Sequence, residues 1–500
     1  MTGRPDDLLR SEVLEPQLRF ELHALLPWYV RLEKVLLVEY SRMGLLDAPQ
    51  VAALTARLDG ATPEAVGEAA REAMSDLACA LERHVGQGLD ELPPAWHVDG
   101  GRNDLRAGAQ LLYGRARLLD SASLLLDFGR AAHRLASRST ELMMPGYTHL
   151  QAAEPISPGF YLAALCEQVE HTLSRLESVY VTASTSPLGA GAMAGQQLAW
   201  DRERMARLLG CERVQRHALR AVGQRDWALE ACAEFSLLGV ALSRFATDLM
   251  TWSGTGHGFI HLPAAWSGVS PAMPQKKNFP VLERIRGRTA QLGAAYAAIS
   301  TGQRNTPYSH SFEVSEEASA QVPAAFDTLD SVLRLFTSVL ENLSFREDRL
   351  REACEAEHFG AGTLANLLTL RTGVPWRAAQ AVAGRYIAAA EEAGLPPAAP
   401  DAALFEQLLA EHGLRVPGAG ALLHEAMDVR SGLTAKRTTG STAPDAVGHL
   451  LAAQGAEFER LALLWSGRRR RIRKAAAELD GELTAITERP TRPTRRDPGR

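Results

Sequence analysis

The sequence is short of the features that would place it in several protein classes. Its five cysteines, Cys79, Cys166, Cys211, Cys232 and Cys354, are scattered, odd in number and without a CxxC pair. That argues against a disulfide framework or a zinc site and fits a reducing compartment. The opening MTGRPDDLLRSE is charged and has no apolar core segment, so no secretory signal is expected and a cytoplasmic location is. Neither sign of charge dominates: the net charge is −5, and bulk electrostatics give no reason to expect a nucleic-acid partner. Strand signals are few and no repeat of fixed period is visible. No motif points to a metal or an organic cofactor.

What is present is helical. With 500 residues, 46% hydrophobic and 23% charged, the chain exceeds one ordinary domain and has globular composition. Apolar spacings of three and four run through Val51–Leu58, Leu105–Ala136, Gly159–Thr182, Trp227–Trp252, Val281–Ser300, Pro323–Leu343, Thr363–Thr372 and Trp376–Ala393, so the expected fold is all-α. Several of these runs exceed the average helix, which implies a bundle. In Trp227–Trp252 the apolar residues Phe235, Leu237, Leu238, Val240, Leu242, Phe245, Leu249 and Met250 cannot share one stripe, so partners are needed on more than one side. Glu230, Glu234, Arg244 and Asp248 in the same run argue against a membrane span.

Soft boundaries divide the chain into an N-terminal helical region, Met1–Ala109, a long-helix core, Gln110–Arg349, and a smaller helical region, Leu350–Glu478. Leu479–Arg500 ends in RPTRPTRRDPGR and reads as a disordered basic tail. The run Arg468–Arg471 with Arg473 and Lys474 fits a solvated helix end better than a nucleic-acid patch.

Within the core lies a polar loop, Gly268–Pro280, flanked by helical runs. Pro271, Pro274 and Pro280 forbid a regular helix through it. Its Ser270, Lys276, Lys277 and Asn278 could hold a carboxylate, since ammonium and amide N–H groups are the donors an oxyanion needs. A solvated connector with the same composition is the plainer alternative.

Five blocks in order decide between these readings. WHVDGGRNDLRA (Trp96–Ala107), MPGYTHLQAAEPIS (Met144–Ser157), SPLGAGAMAG (Ser186–Gly195), MPQKKN within Gly268–Asn278 and TTGSTAPDAV (Thr438–Val447) together resemble the fumarase/aspartase superfamily, and their spelling resembles argininosuccinate lyases. The similarity runs from about Tyr40 to Leu451. The resemblance implies a three-region all-α subunit with a long central bundle, a homotetramer whose active sites are each assembled from three subunits, and carbon–nitrogen bond cleavage that releases fumarate. A small dicarboxylate is the implied partner.

The resemblance also implies roles. That reaction removes a weakly acidic C–H proton beside a carboxylate, so the site must offer a base at carbon and donors at the oxygens. Ser270 matches the family's catalytic serine, and Lys276 is the natural group to activate it. Ser270 could instead only cap a turn before Pro271. His149 matches a histidine that pairs with a glutamate, and Glu283 stands at the matching spacing; alone, His149 is more often a structural hydrogen-bonder. Arg102, Asn103, Thr148, Gln151, Lys276 and Asn278 form a plausible ring of donors for a succinyl group. Tyr308 matches a tyrosine at the amine-binding end.

Departures point away from the family's usual substrate. Gly100 and Gly101 stand where the first block has an arginine and a serine, and Pro271 replaces the loop's second serine. Glu313 and Glu316 align with a glutamine and a lysine. A glutamate in place of a lysine would repel the carboxylate of an arginyl group, so an amine part that is cationic or lacks a carboxylate is expected. On a solvated face both glutamates would touch nothing. A genuine argininosuccinate lyase of arginine synthesis and an inactive structural homologue are the alternatives.

Overall fold

The computed structural model describes residues 6–70, 76–268 and 270–488. Eight helical segments are expected above, and a helix occupies each of them. The longest element of the central region, Arg102–Ser137, has 36 residues. Pro158–Thr182, Asp226–Ser253 and Val322–Asn342 pack against it, and Pro280–Gly302 packs on the latter two. Ser157 caps the Pro158–Thr182 helix, its hydroxyl accepting from Phe160 N at 3.0 Å with Pro158 at the first helical position, a preferred helix start. Aromatic pairs knit the bundle: Phe128 against Phe336 at 5.2 Å and Phe235 against Phe326 at 5.1 Å. At Gly114 a methyl group would lie 2.1 Å from the Trp227 ring. Only glycine lets the Arg102–Ser137 helix come that close to the indole.

Main-chain pairing is confined to short pieces, and one of them matters. Met144–Thr148 and Gln151–Ile156 form an antiparallel hairpin with Thr148 opposite Gln151. The turn residues His149 and Leu150 both have positive φ, 54° and 62°, the conformation of a type I′ turn.

Two features differ from the sequence reading. The last described helix has 44 residues, Pro444–Thr487, so the stretch from Leu479 to Thr487, expected as tail, is helical. Leu479, Leu483 and Ile486 are buried at 2%, 4% and 6% exposure, and this apolar spacing carries the helix through the expected boundary. Residues 489–500 lie outside the described residues. The basic run sits within this helix and is engaged by the chain itself. Arg468 stacks on Tyr180 and Trp465 at 4.2 and 4.5 Å, Arg469 meets Asp120 at 2.7 Å and Arg471 meets Glu212 at 3.3 Å.

The long C-terminal helix shares one core with residues before Leu350, whereas Leu364–Met427 contains a separate apolar cluster. Among the described residues no helix is long and apolar enough to cross a membrane. No group of three or more metal-ligating side chains there could hold an ion.

Candidate active site

The implied site residues fall into two groups at opposite ends of the bundle. Arg102 and Asn103 open the Arg102–Ser137 helix, while Thr148, His149 and Gln151 lie in the hairpin that follows its other end. That helix alone separates them by about 54 Å. Ser270, Lys276 and Asn278 belong to the hairpin's end, between the helix ending at Ser253 and the helix starting at Pro280, and Glu283 stands in the first turn of the latter. The Tyr147 ring touches His257 there at 6.0 Å. Tyr308 belongs to the Arg102 end: Arg106 stacks on Phe312 at 5.1 Å, and Gln110 donates to Ser315 O at 2.7 Å.

At the Arg102 end the backbone is clamped. Asn103 Nδ2 donates to Ala192 O at 2.9 Å, and Asp104 Oδ2 accepts from Gly189 N and Gly191 N at 3.1 and 2.9 Å. Burial pushes the Asp104 carboxyl up to about 7 against those two donors. Asp99 Oδ2 accepts from Gln197 N, Leu198 N and Trp200 Nε1. The departure at Gly101 has a steric reason here, since a methyl group at that position would sit 2.5 Å from Gly191 Cα. His97 lies between Glu33 at 3.0 Å and Glu82 at 3.7 Å. Burial works to lower its pKa, but the two carboxylates outweigh burial and raise it to about 10.

At the other end the groups are presented outward. Thr148, His149 and Gln151 are exposed, and the left-handed His149–Leu150 pair holds them on the turn at a conformational cost, since leucine disfavours positive φ. The signature loop closes on itself: Gly268 N donates to Asn278 O at 2.8 Å, and Lys276 N to Met273 O at 2.9 Å. Ser270 Oγ accepts from Met273 N at 3.2 Å, so the turn-capping use of this serine is realised, while a hydroxyl keeps its own proton free to donate. Lys276 and Glu283 are exposed. Among the described residues no ion pair joins His149 to Glu283 within the chain.

Glu316 corrects an expectation. It neither faces solvent unpaired nor stands as a lone repulsive charge, because Arg106 Nη1 meets its Oε1 at 2.8 Å. Arg106 also reaches Asp76 at 3.5 Å and Glu21 at 3.8 Å. Burial raises the Glu316 carboxyl to about 7, with Arg106 acting the other way. Arg225 is fully buried beside this cluster, donating to Gln110 Oε1 at 2.7 Å, and burial lowers it to about 10. Sequence reasoning missed the cluster. Its one visible signal was Arg106, a second cation placed a helical turn after Arg102. Glu313 is exposed, as the plainer reading had it.

The long-helix bundle with polar loops at its ends is the architecture of a lyase class, and the comparisons agree. A protein-family model described as Lyase matches residues 100–292. The argininosuccinate lyase of Hyphomonas neptunium is 31% identical over 357 residues, 71% of this chain and 77% of that protein. That of Desulforudis audaxviator is 31% identical over 425 residues, 84% and 90% of the two chains. Among solved structures, EDDS lyase in complex with formate superposes with a TM-score of 0.84 at 22% identity, covering 97% of each chain. A fumarate lyase from Mesorhizobium sp. BNC1 superposes with a TM-score of 0.71 at 19% identity, covering 90% of this chain and 99% of that one. The chain belongs to the fumarase/aspartase superfamily, as an argininosuccinate lyase-like member. It is a carbon–nitrogen lyase of the fumarate-releasing type.

Proposed function

We propose that this lyase β-eliminates an N-succinyl-type substrate to fumarate and an amine, or runs the reverse addition, with a substrate other than ordinary argininosuccinate. The site residues named above are proposed to meet between chains of a cytoplasmic homotetramer. The observation carrying this is the separation of Arg102 and Asn103 from Thr148, His149 and Gln151 by the length of one helix, with each group on the surface. One chain cannot bring them to a single succinyl group; neighbouring chains can.

In such a site Ser270, activated by Lys276 and the loop N–H groups, removes the proton from the carbon beside a carboxylate. Charge flows onto that carboxylate, where Arg102, Asn103, Thr148, Gln151 and Asn278 supply donors. The C–N bond then breaks, its electron pair leaving with nitrogen, which takes up a proton. His149, paired with Glu283 of a neighbouring chain, is placed to handle that proton. Tyr308 and the exposed Glu313 face the amine part. Because Arg106 already occupies Glu316, Glu313 is the carboxylate left to prefer a cationic amine.

A genuine argininosuccinate lyase is the second reading, favoured by the 31–35% identity to proteins of that name. Fumarate appearance, followed by ultraviolet absorbance, separates the readings when argininosuccinate is offered beside other N-substituted aspartates. Turnover of another adduct alone supports the proposal, and efficient turnover of argininosuccinate contradicts its substrate assignment. No turnover of any adduct moves weight to an inactive homologue.

A further inference from the structure

Residues 189–200 pass beside the start of the Arg102–Ser137 helix and are fastened to it at two feet. Asp104 Oδ2 holds the near foot, accepting from Gly189 N and Gly191 N. Asp99 holds the far foot. Its carbonyl accepts from Gln196 Nε2, and its Oδ2 accepts from Gln197 N and Leu198 N at 2.8 Å each and from Trp200 Nε1 at 3.0 Å. Beyond that foot Trp200 packs edge to face on Tyr40 at 5.0 Å, and Asp201 N donates to Glu39 Oε2 at 3.0 Å, which ties it to the Leu26–Arg42 helix. Between the feet, residues 192–195 are exposed, and Ala192 O accepts from Asn103 Nδ2 at 2.9 Å.

Asp99 keeps this place against its backbone preference. Its φ is 56° and that of His97 is 66°, left-handed conformations that favour glycine and persist where the surroundings impose them. The helix start has no side-chain cap of its own, since Gly101 stands at that position, so Ala192 O sets the direction of the Asn103 amide. One amide hydrogen goes to that carbonyl, and the second is left for a substrate oxygen. We propose that Asp99 is a positioning residue for the lyase reaction: by fixing the far foot of residues 189–200 it fixes Ala192 O, and through it the amide that Asn103 offers to a succinyl carboxylate. This rests on the reading of Asn103 as a substrate donor. Without the Asp99 carboxylate the amide must be ordered each time a ligand binds, and that cost falls on binding rather than on the chemical step.

Fumarate is the probe, its dissociation constant measured by calorimetry on the full chain. Asp99→Gly accepts the left-handed backbone and deletes the carboxylate, and it is expected to weaken fumarate about tenfold. Asp99→Asn keeps an oxygen acceptor in the same place and is expected to hold affinity within about threefold of the unaltered protein. Asn103→Ala is expected to weaken fumarate by itself, and Asp99→Gly on that background to weaken it no further, since both changes act on one chain of contacts. A purely structural role for Asp99 would make the two losses add. Should Asp99→Gly fail to fold, Trp200→Phe, which removes one of the three donors, is expected to weaken fumarate about threefold. Unchanged affinity in Asp99→Gly or its substitute, or additive losses in the double variant, would overturn the positioning role and leave the reading of Asn103 intact. Unchanged affinity in Asn103→Ala would overturn that reading and the proposal with it.

Discussion

Arg106 shows how much one side chain can hold in place. It is 4% exposed and faces the carboxylates of Glu21, Asp76 and Glu316. Arg106→Met would leave buried negative charge unopposed, so a loss of about 3–5 kcal/mol is expected in chemical denaturation. Adding Glu316→Gln to that variant should restore part of it, because the second change removes one stranded charge. Glu170 gives a pH-dependent case. Burial, then Glu457 and Glu167, raise its carboxyl to about 7, and Oε1 has no partner. A raised carboxyl favours the protonated form in the fold, so its stability contribution is full below the ordinary carboxylate range and is lost as pH rises through about 7. Glu170→Gln should therefore raise the melting temperature at about pH 8 and have little effect near pH 4. An equal gain at both would rule out titration of Glu170 as the cause. At this scale the sequence misleads most readily: Glu316 and Arg106 stand 210 residues apart, and no local pattern foretells their pairing.

The elements divide by how strongly their patterns repeat. The eight periodic segments are legible because their apolar residues recur at spacings of three and four; Val281, Leu282, Ile285, Thr289, Leu292, Ala295 and Ile299 are the buried set of one such helix. The hairpin is not legible. Its turn, His149–Leu150, lacks the glycine or asparagine that announces a type I′ turn, and its left-handed backbone is a tertiary fact. Leu150→Gly is expected to relieve that turn and raise the melting temperature by an amount worth roughly 1 kcal/mol. A drop would show the turn adopts another geometry. The end of the C-terminal helix is hard to read because arginine-rich sequence and nearby prolines resemble a tail and mask the helical spacing of the buried Leu479, Leu483 and Ile486. Truncation after Glu478 should lower stability by about 1.5–3 kcal/mol per buried side chain removed. Truncation after Glu488 should not.

At the scale of the molecule the exposed positions tell most. Leu237 and Val240 on the Asp226–Ser253 helix are 48% and 62% exposed, and Tyr296 on the following helix is 37% exposed, a surface that fits burial by further copies. If the proposed tetramer forms through this surface, Val240→Glu is expected to split it in size-exclusion chromatography and remove turnover together; an intact, active assembly would place the interface elsewhere. The five ordered blocks made the lyase class legible, because the chemistry fixes residue types at each block. Their distance from one another in a single chain is legible only through the resemblance, which implies sites assembled from three subunits, since a linear motif by itself says nothing about which copy supplies it.

The most direct measurement is fumarate release by hybrids reassembled from two variants, Arg102→Ala and Ser270→Ala, each inactive alone. If sites are built between chains, some hybrid sites receive no altered residue, and mixing should restore up to about a quarter of the wild-type rate for a four-site assembly. A mixture as inactive as its parents, with both variants assembled, would contradict the shared site.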